Sequence, residues 1–146
     1  MKKTVFVMIS LILLFSFTGC GLVGASFYVE DDILHIDDPT FTPKMTLVGD
    51  EEKDITNDEL WEKLVIVLDG KPVDESPVYS GIECECEIEY TLRITGSYSK
   101  GYYLTVHEDG IEISGYCRYR KCMNLLGIVE VESETMNELI GILEEA

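Results

Sequence analysis

An α+β domain, with an antiparallel sheet of about four to five strands in a meander and two helices packed on one face, follows from three observations. A stretch of twelve residues alternates apolar and polar side chains with period two. Two other stretches place Thr and Glu three residues apart just ahead of apolar residues at helical spacing. These signals run in the order strand, helix, several strands, helix, which segregates helices to one side of an antiparallel sheet.

The first element of that domain lies in Thr40–Val48, where Phe41, Pro43, Met45 and Leu47 share one face and the proline suits an edge strand. Gly49 to Asp54 is a polar turn. Thr56 and Glu59 then have capping-box spacing, and Ile55 is placed to staple onto Leu60. Leu60, Trp61, Leu64, Val67 and Leu68 fall on one side of the helix that follows, Glu59 can pair with Lys63, and Asp69-Gly70 stops it. Val65-Ile66-Val67 is β-branched and Asp-Gly is also a hairpin signal, so a strand over 64–68 is the competing reading.

Lys71 to Gly81 carries two prolines and reads as a loop. After it Cys84, Cys86, Ile88, Tyr90, Leu92 and Ile94 alternate with Glu83, Glu85, Glu87, Glu89, Thr91 and Arg93, as a strand with one buried face does. Tyr102 to His107 and Ile111 to Cys117 form a hairpin for which Asp109-Gly110 supplies a type I′ turn, with Leu104, Val106, Ile111 and Ile113 on the core face. Met123 to Glu132 is the next strand. A helix from Thr135 repeats the capping-box spacing with Glu138 and turns Met136, Leu139, Ile140 and Leu143 inward.

Ahead of this domain, Lys2 and Lys3 precede an uncharged apolar run, Val5 to Phe17, of the length that export signals use. The tetrad Phe17-Thr18-Gly19-Cys20 that ends it resembles the lipobox of bacterial lipoproteins. The resemblance covers Met1 to Cys20 only. It implies that residues 1–19 are a lipoprotein signal peptide, that Cys20 is lipidated and becomes the new terminus, and that the protein sits on the extracytoplasmic side of the cell membrane. Residues 20–38 are then the lipidated cysteine and a tether, and 39–146 a single globular domain. Three rivals compete: an ordinary signal-peptidase site at Val23-Gly24-Ala25, an uncleaved anchor over Thr4–Val29, and a buried N-terminal helix of a protein that is never exported. Gly19, Gly21 and Gly24 weaken the anchor, and the run lacks the polar face of a globular helix.

Cleavage before Cys20 leaves 127 residues of the 146, removes two of the 11 cations and none of the 28 acids, and moves the net charge from −17 to −19. Nucleic acid is not expected as a partner, because phosphate binding needs a cationic face. Adhesion to anionic lipid is not expected either, so membrane attachment falls to the terminal lipid. A hydrophobic content of 46% and eight tyrosines indicate a folded chain rather than an acidic tail.

With Cys20 assigned to lipid, Cys84, Cys86, Cys117 and Cys122 remain, and an even number in an exported domain favours disulfides. Cys84 and Cys86 lie too far apart along a strand for an unstrained bond to each other. Cys117 and Cys122 flank a short turn and can pair locally. A four-thiolate zinc site is the alternative, although its usual spacing is two to four residues.

His35 and His107 have no motif partner, and no cofactor motif is present. Asp50, Glu52, Asp54 and Asp58 imitate calcium-loop spacing, but Ile55 and Trp61 stand where that loop needs glycine and a bidentate acid. Two surfaces remain for binding. Glu83, Glu85, Glu87 and Glu89 repel one another unless solvent, a basic partner or a cation compensates them. Tyr116, Arg118, Tyr119, Arg120 and Lys121 gather cations and aromatic rings, which anchor interfaces, in an acidic chain. The expectation is a membrane-anchored, non-catalytic binding module whose partner is another envelope protein. The alternatives are a metal-binding module, through four cysteines or the acidic face, and a small enzyme.

Overall fold

The computed structural model describes residues 24–74, 90–96, 100–117 and 122–146, with only the backbone at 122 and 123. Among the described residues eight strands and two helices follow one another as β1 (Ser26–Glu30), β2 (Ile33–Asp37), β3 (Met45–Val48), β4 (Lys53–Asp54), α1 (Asp58–Leu68), β5 (Tyr90–Thr95), β6 (Lys100–Val106), β7 (Gly110–Cys117), β8 (Cys122–Glu130) and α2 (Ser133–Glu145). β1 and β2 make a two-stranded sheet. The other six form an antiparallel sheet in the order β4-β3-β5-β6-β7-β8.

The class is α+β as expected, but the large sheet has six strands rather than four or five. β4 extends it because Thr46 and Leu47 pair with Asp54 and Lys53, in a stretch that reads as turn. A second correction concerns the tether, which was expected to run to residue 38. From Ala25 onward it is fold: Phe27, Leu34 and Ile36 are buried in the common core. Alternation over five-residue strands, Phe27 against Leu34 and Ile36, is enough to bury one face of a hairpin.

That hairpin also holds the tight turn. Asp31 and Asp32, between the paired Glu30 and Ile33, have φ of 51° and 61°. Two central residues at positive φ define the type I′ geometry. Asp109-Gly110 does not adopt it, since neither residue has positive φ; the β6–β7 connection is wider, and His107 N–H donates to Gly110 O at 2.9 Å.

The core face of the large sheet is read across its register. One row is Leu47, Leu92, Leu104, Ile113 and Gly127; the next is Met45, Ile94, Tyr102, Gly115 and Asn124. Leu104, Val106, Ile111 and Ile113 are all buried, as their alternation requires. Each large aliphatic residue of this kind stabilises the fold by roughly 1.5–3 kcal/mol on leaving water.

α1 settles the ambiguity over 64–68 in favour of helix, and buries Leu60, Trp61, Leu64, Val67 and Leu68. Trp61 crosses Phe27 edge-on and its Nε1–H donates to Pro39 O at 2.8 Å, so the buried indole is satisfied. Asp69 and Gly70 end the helix and tie it to β2. Asp69 Oδ1 accepts from Ile36 N–H, and Gly70, at φ 71°, donates its N–H to Leu34 O. Both expected capping boxes are replaced. Asn57 caps α1, its side chain accepting from Leu60 N–H, because Thr56 is already bonded to Met45 N–H and to Asp54. α2 begins two residues before Thr135, with no side-chain cap, and Glu138 pairs instead with Lys63 of α1. That contact takes Lys63 in place of Glu59. Phe41 lies outside β3 and is 37% exposed, so only Pro43 and Met45 of its set are buried, with Leu47 partly so.

Candidate functional site

A cleft of about 160 Å³ opens at one end of the large sheet, on its core side. The reason lies in the row Met45, Ile94, Tyr102, Gly115, Asn124: it is apolar as far as Tyr102, then loses its side chain at Gly115 and becomes polar at Asn124. Phe27 and Tyr102, with ring centroids 4.7 Å apart, form the apolar wall, and Leu126 adds to it. Leu126 reaches this side through a β-bulge. β7 pairs Ile113 with Gly127 but Ser114 with Leu125, which leaves Leu126 as the extra residue. Lys100, Asn124 and Cys117 supply the polar rim, and Tyr116, whose ring lies on the opposite face of the sheet against Tyr103, borders the cleft through its strand.

The first described residues lie at the same end of the sheet. Ala25 N–H donates to Thr95 O and bridges Gly96, and Gly96 N–H donates to Lys100 O. Gly96 is required there, since a Cβ would stand 2.8 Å from Lys100 O and 2.9 Å from the Tyr102 ring.

Of the residues singled out from sequence, Tyr116 and Cys117 line this cleft, and Cys122 stands directly opposite Cys117 in the register. Tyr116 also meets Tyr103 edge-on, centroids 6.2 Å apart. Cys20, Cys84, Cys86, Glu83, Glu85, Glu87, Glu89, Arg118, Tyr119, Arg120 and Lys121 lie outside the described residues. Phe27, Lys100, Tyr102, Gly115, Asn124 and Leu126 were not picked out. The available signal was Gly115, a glycine interrupting the inward side of an alternating strand, which marks a close approach or a gap.

The histidines do not join the cleft. His35 stacks on Tyr28, ring centroids 5.2 Å apart. His107, beside a hairpin turn, is only 5% exposed, and its Nε2 lies 4.0 Å from Glu112 Oε2. Cys117 is seven positions along β7 from Gly110, the partner of His107, which separates thiol and imidazole by roughly 23 Å. They do not form a nucleophile–base pair.

Three of the four calcium-like acids, Glu52, Asp54 and Asp58, are individually engaged. The Arg93 guanidinium forks onto Glu52 with two 2.8 Å bonds, which hold that carboxyl below the ordinary glutamate range and raise Arg93. Thr56 hydrogen bonds lower Asp54, with Lys44 a smaller contributor at 3.7 Å. Asp58 accepts from the Thr42 hydroxyl. Among the described residues no three His, Cys, Asp or Glu side chains are placed to hold a metal ion, and no helix is long and apolar enough to cross a membrane.

The fold and site define an α+β domain with an aromatic-walled cleft at the sheet end that Ala25 bridges. No family model matches the sequence, and no curated protein or solved structure matches the chain.

Proposed function

We propose that the protein is a lipid-anchored, extracytoplasmic binding module that uses the cleft to hold one side chain of an envelope protein. The carrying observation is the cleft's size and lining. At about 160 Å³ it falls below the roughly 300–1,000 Å³ of sites for whole small molecules, yet it offers two packed aromatic rings and a rim of cation and amide. A shallow aromatic pocket with a polar rim suits an interface anchor.

The tether gives this reading a direction. If Cys20 carries the lipid, five peptide spacings separate it from Ala25, a span of roughly 18 Å at full extension. The cleft end of the sheet then stays near the membrane surface, while the His107–Gly110 turn points away by the length of β7. The 116–122 turn, with Arg118, Tyr119, Arg120 and Lys121, connects strands at this same end in sequence, and belongs to the proposed contact surface. The partner is therefore a protein held at or in the membrane.

Two measurements test this together. A palmitate analogue should label the wild type and not Cys20→Ser; equal labelling of both removes the anchor. Gly115→Val should fill the cleft while keeping the fold, because a Cβ at 115 meets only ordinary contacts, at 3.8 Å to Asn124 O and to the Tyr102 ring. In-cell crosslinking should lose the wild-type adduct in Gly115→Val and in Lys100→Glu. An unchanged adduct in both variants, with unchanged melting, refutes the cleft as the contact surface.

A further inference from the structure

The β7–β8 register pairs Cys117 directly with Cys122. Directly opposed residues of an antiparallel pair have Cα atoms about 4.5 or 5.5 Å apart, depending on whether the pair is hydrogen-bonded. Both spacings fall inside the roughly 4.4–6.8 Å that a disulfide bridges. We propose that Cys117 and Cys122 are a modification site: they close into a cross-strand disulfide that clasps the end of the β7–β8 hairpin beside the cleft.

Cys117 is half-buried and stands on the cleft rim, so it is reachable by an exchange partner. The reaction is a thiol–disulfide exchange with a disulfide donor, protein or glutathione. One thiolate attacks a donor sulfur and forms a mixed disulfide; the second thiolate then displaces the donor. One S–S bond forms and one breaks. The two cysteines lose two electrons and two protons, and the donor leaves as two thiols. Formation in the cell rests on the export reading, because disulfides persist in oxidising compartments, whereas the pairing itself rests on the register alone.

The sequence makes the test direct. Arg118, Arg120 and Lys121 lie between the two cysteines, so trypsin separates peptide 101–118 from peptide 122–146, and only a disulfide holds them together. Cys84 and Cys86 fall in a different peptide, 64–93. The full chain should be alkylated and digested without reductant in two forms, as isolated from the cell envelope and after equilibration with a glutathione redox buffer. Linked 101–118 and 122–146, split by reductant, is the expected product in both. Linkage in the buffer but not from cells keeps the pairing and overturns export. Separate alkylated peptides in both samples, or a link from either to 64–93, overturns the pairing.

Discussion

Gly127 is where a single methyl group should do the most damage per atom. Its φ of 150° is a conformation that residues with a Cβ rarely adopt, and it follows directly from the bulge that turns Leu126 toward the cleft. A Cβ here would stand 2.9 Å from Val73 Cβ, 3.1 Å from Val73 Cγ1 and 3.3 Å from Asp74 O. Those atoms belong to the segment that binds the outer edge of β8 through Asp74 and Ile128, so they cannot retreat without breaking that bridge. Gly127→Ala therefore adds backbone strain on the order of 1–3 kcal/mol to overpacking on the order of 1–3 kcal/mol. At about 4 °C per kcal/mol for a chain of this size, a combined cost of about 4 kcal/mol lowers Tm by roughly 15 °C. Thermal unfolding followed by circular dichroism measures it, with Gly115→Ala as the matched control. That second glycine sits in ordinary extended backbone with room for a methyl, so its substitution should be neutral or stabilise by up to about 1 kcal/mol. A double-mutant cycle with Val73→Gly divides the cost: the clash with the Val73 side chain vanishes in that background, while the Asp74 O contact and the φ part stay. A Gly127→Ala drop below about 4 °C, or one no larger than that of Gly115→Ala, would refute the bulge geometry.

Two further outcomes follow from the caps and charges. Asn57→Ala should cost about 1 kcal/mol by orphaning the Leu60 N–H, whereas Glu59→Ala should cost almost nothing, and urea unfolding of the pair distinguishes the observed cap from a capping box. Glu52 has its carboxyl lowered in the fold by Arg93, so its contribution is present above the ordinary glutamate range and is lost as pH falls through the lowered folded value. The Tm difference between wild type and Glu52→Gln should thus be largest near neutrality and vanish in acid; a difference independent of pH would show that the Arg93 fork does not set it. Arg93→Gln should abolish the same acid-dependent difference.

Local order was legible because it depends on spacing. Leu60, Trp61, Leu64, Val67 and Leu68 face inward because a helix repeats every 3.6 residues, and Leu104, Val106, Ile111 and Ile113 do so because a strand repeats every two. Asp69-Gly70 reads as a stop because glycine alone accepts its φ without strain. What failed was competition between alternatives of similar energy. Thr56 and Asn57 both offer a cap, and the neighbouring strand decided by claiming Thr56 through Met45 N–H. Asp109-Gly110 has the composition of a type I′ turn, yet that turn formed at Asp31-Asp32, where only two residues separate the paired strands. Residues 25–37 offer two short apolar pieces divided by acids, and they became a core element because the sheet offered Tyr102 and α1 offered Trp61 to cover Phe27.

By itself the sequence determined which residues turn inward, where α1 stops, the net acidity on which the expectation of no nucleic-acid partner rests, and the lipobox-like stretch that sets the expectation of a membrane anchor. Only the tertiary structure decided that Gly115 leaves a gap beside Phe27 and Lys100, that Ala25 bridges the sheet at that same end, and that Cys117 faces Cys122. Inward alternation is a property of neighbours along one chain segment. A cleft depends on the register between β6, β7 and β8, and strand pairing sets that register through contacts between residues far apart in the chain.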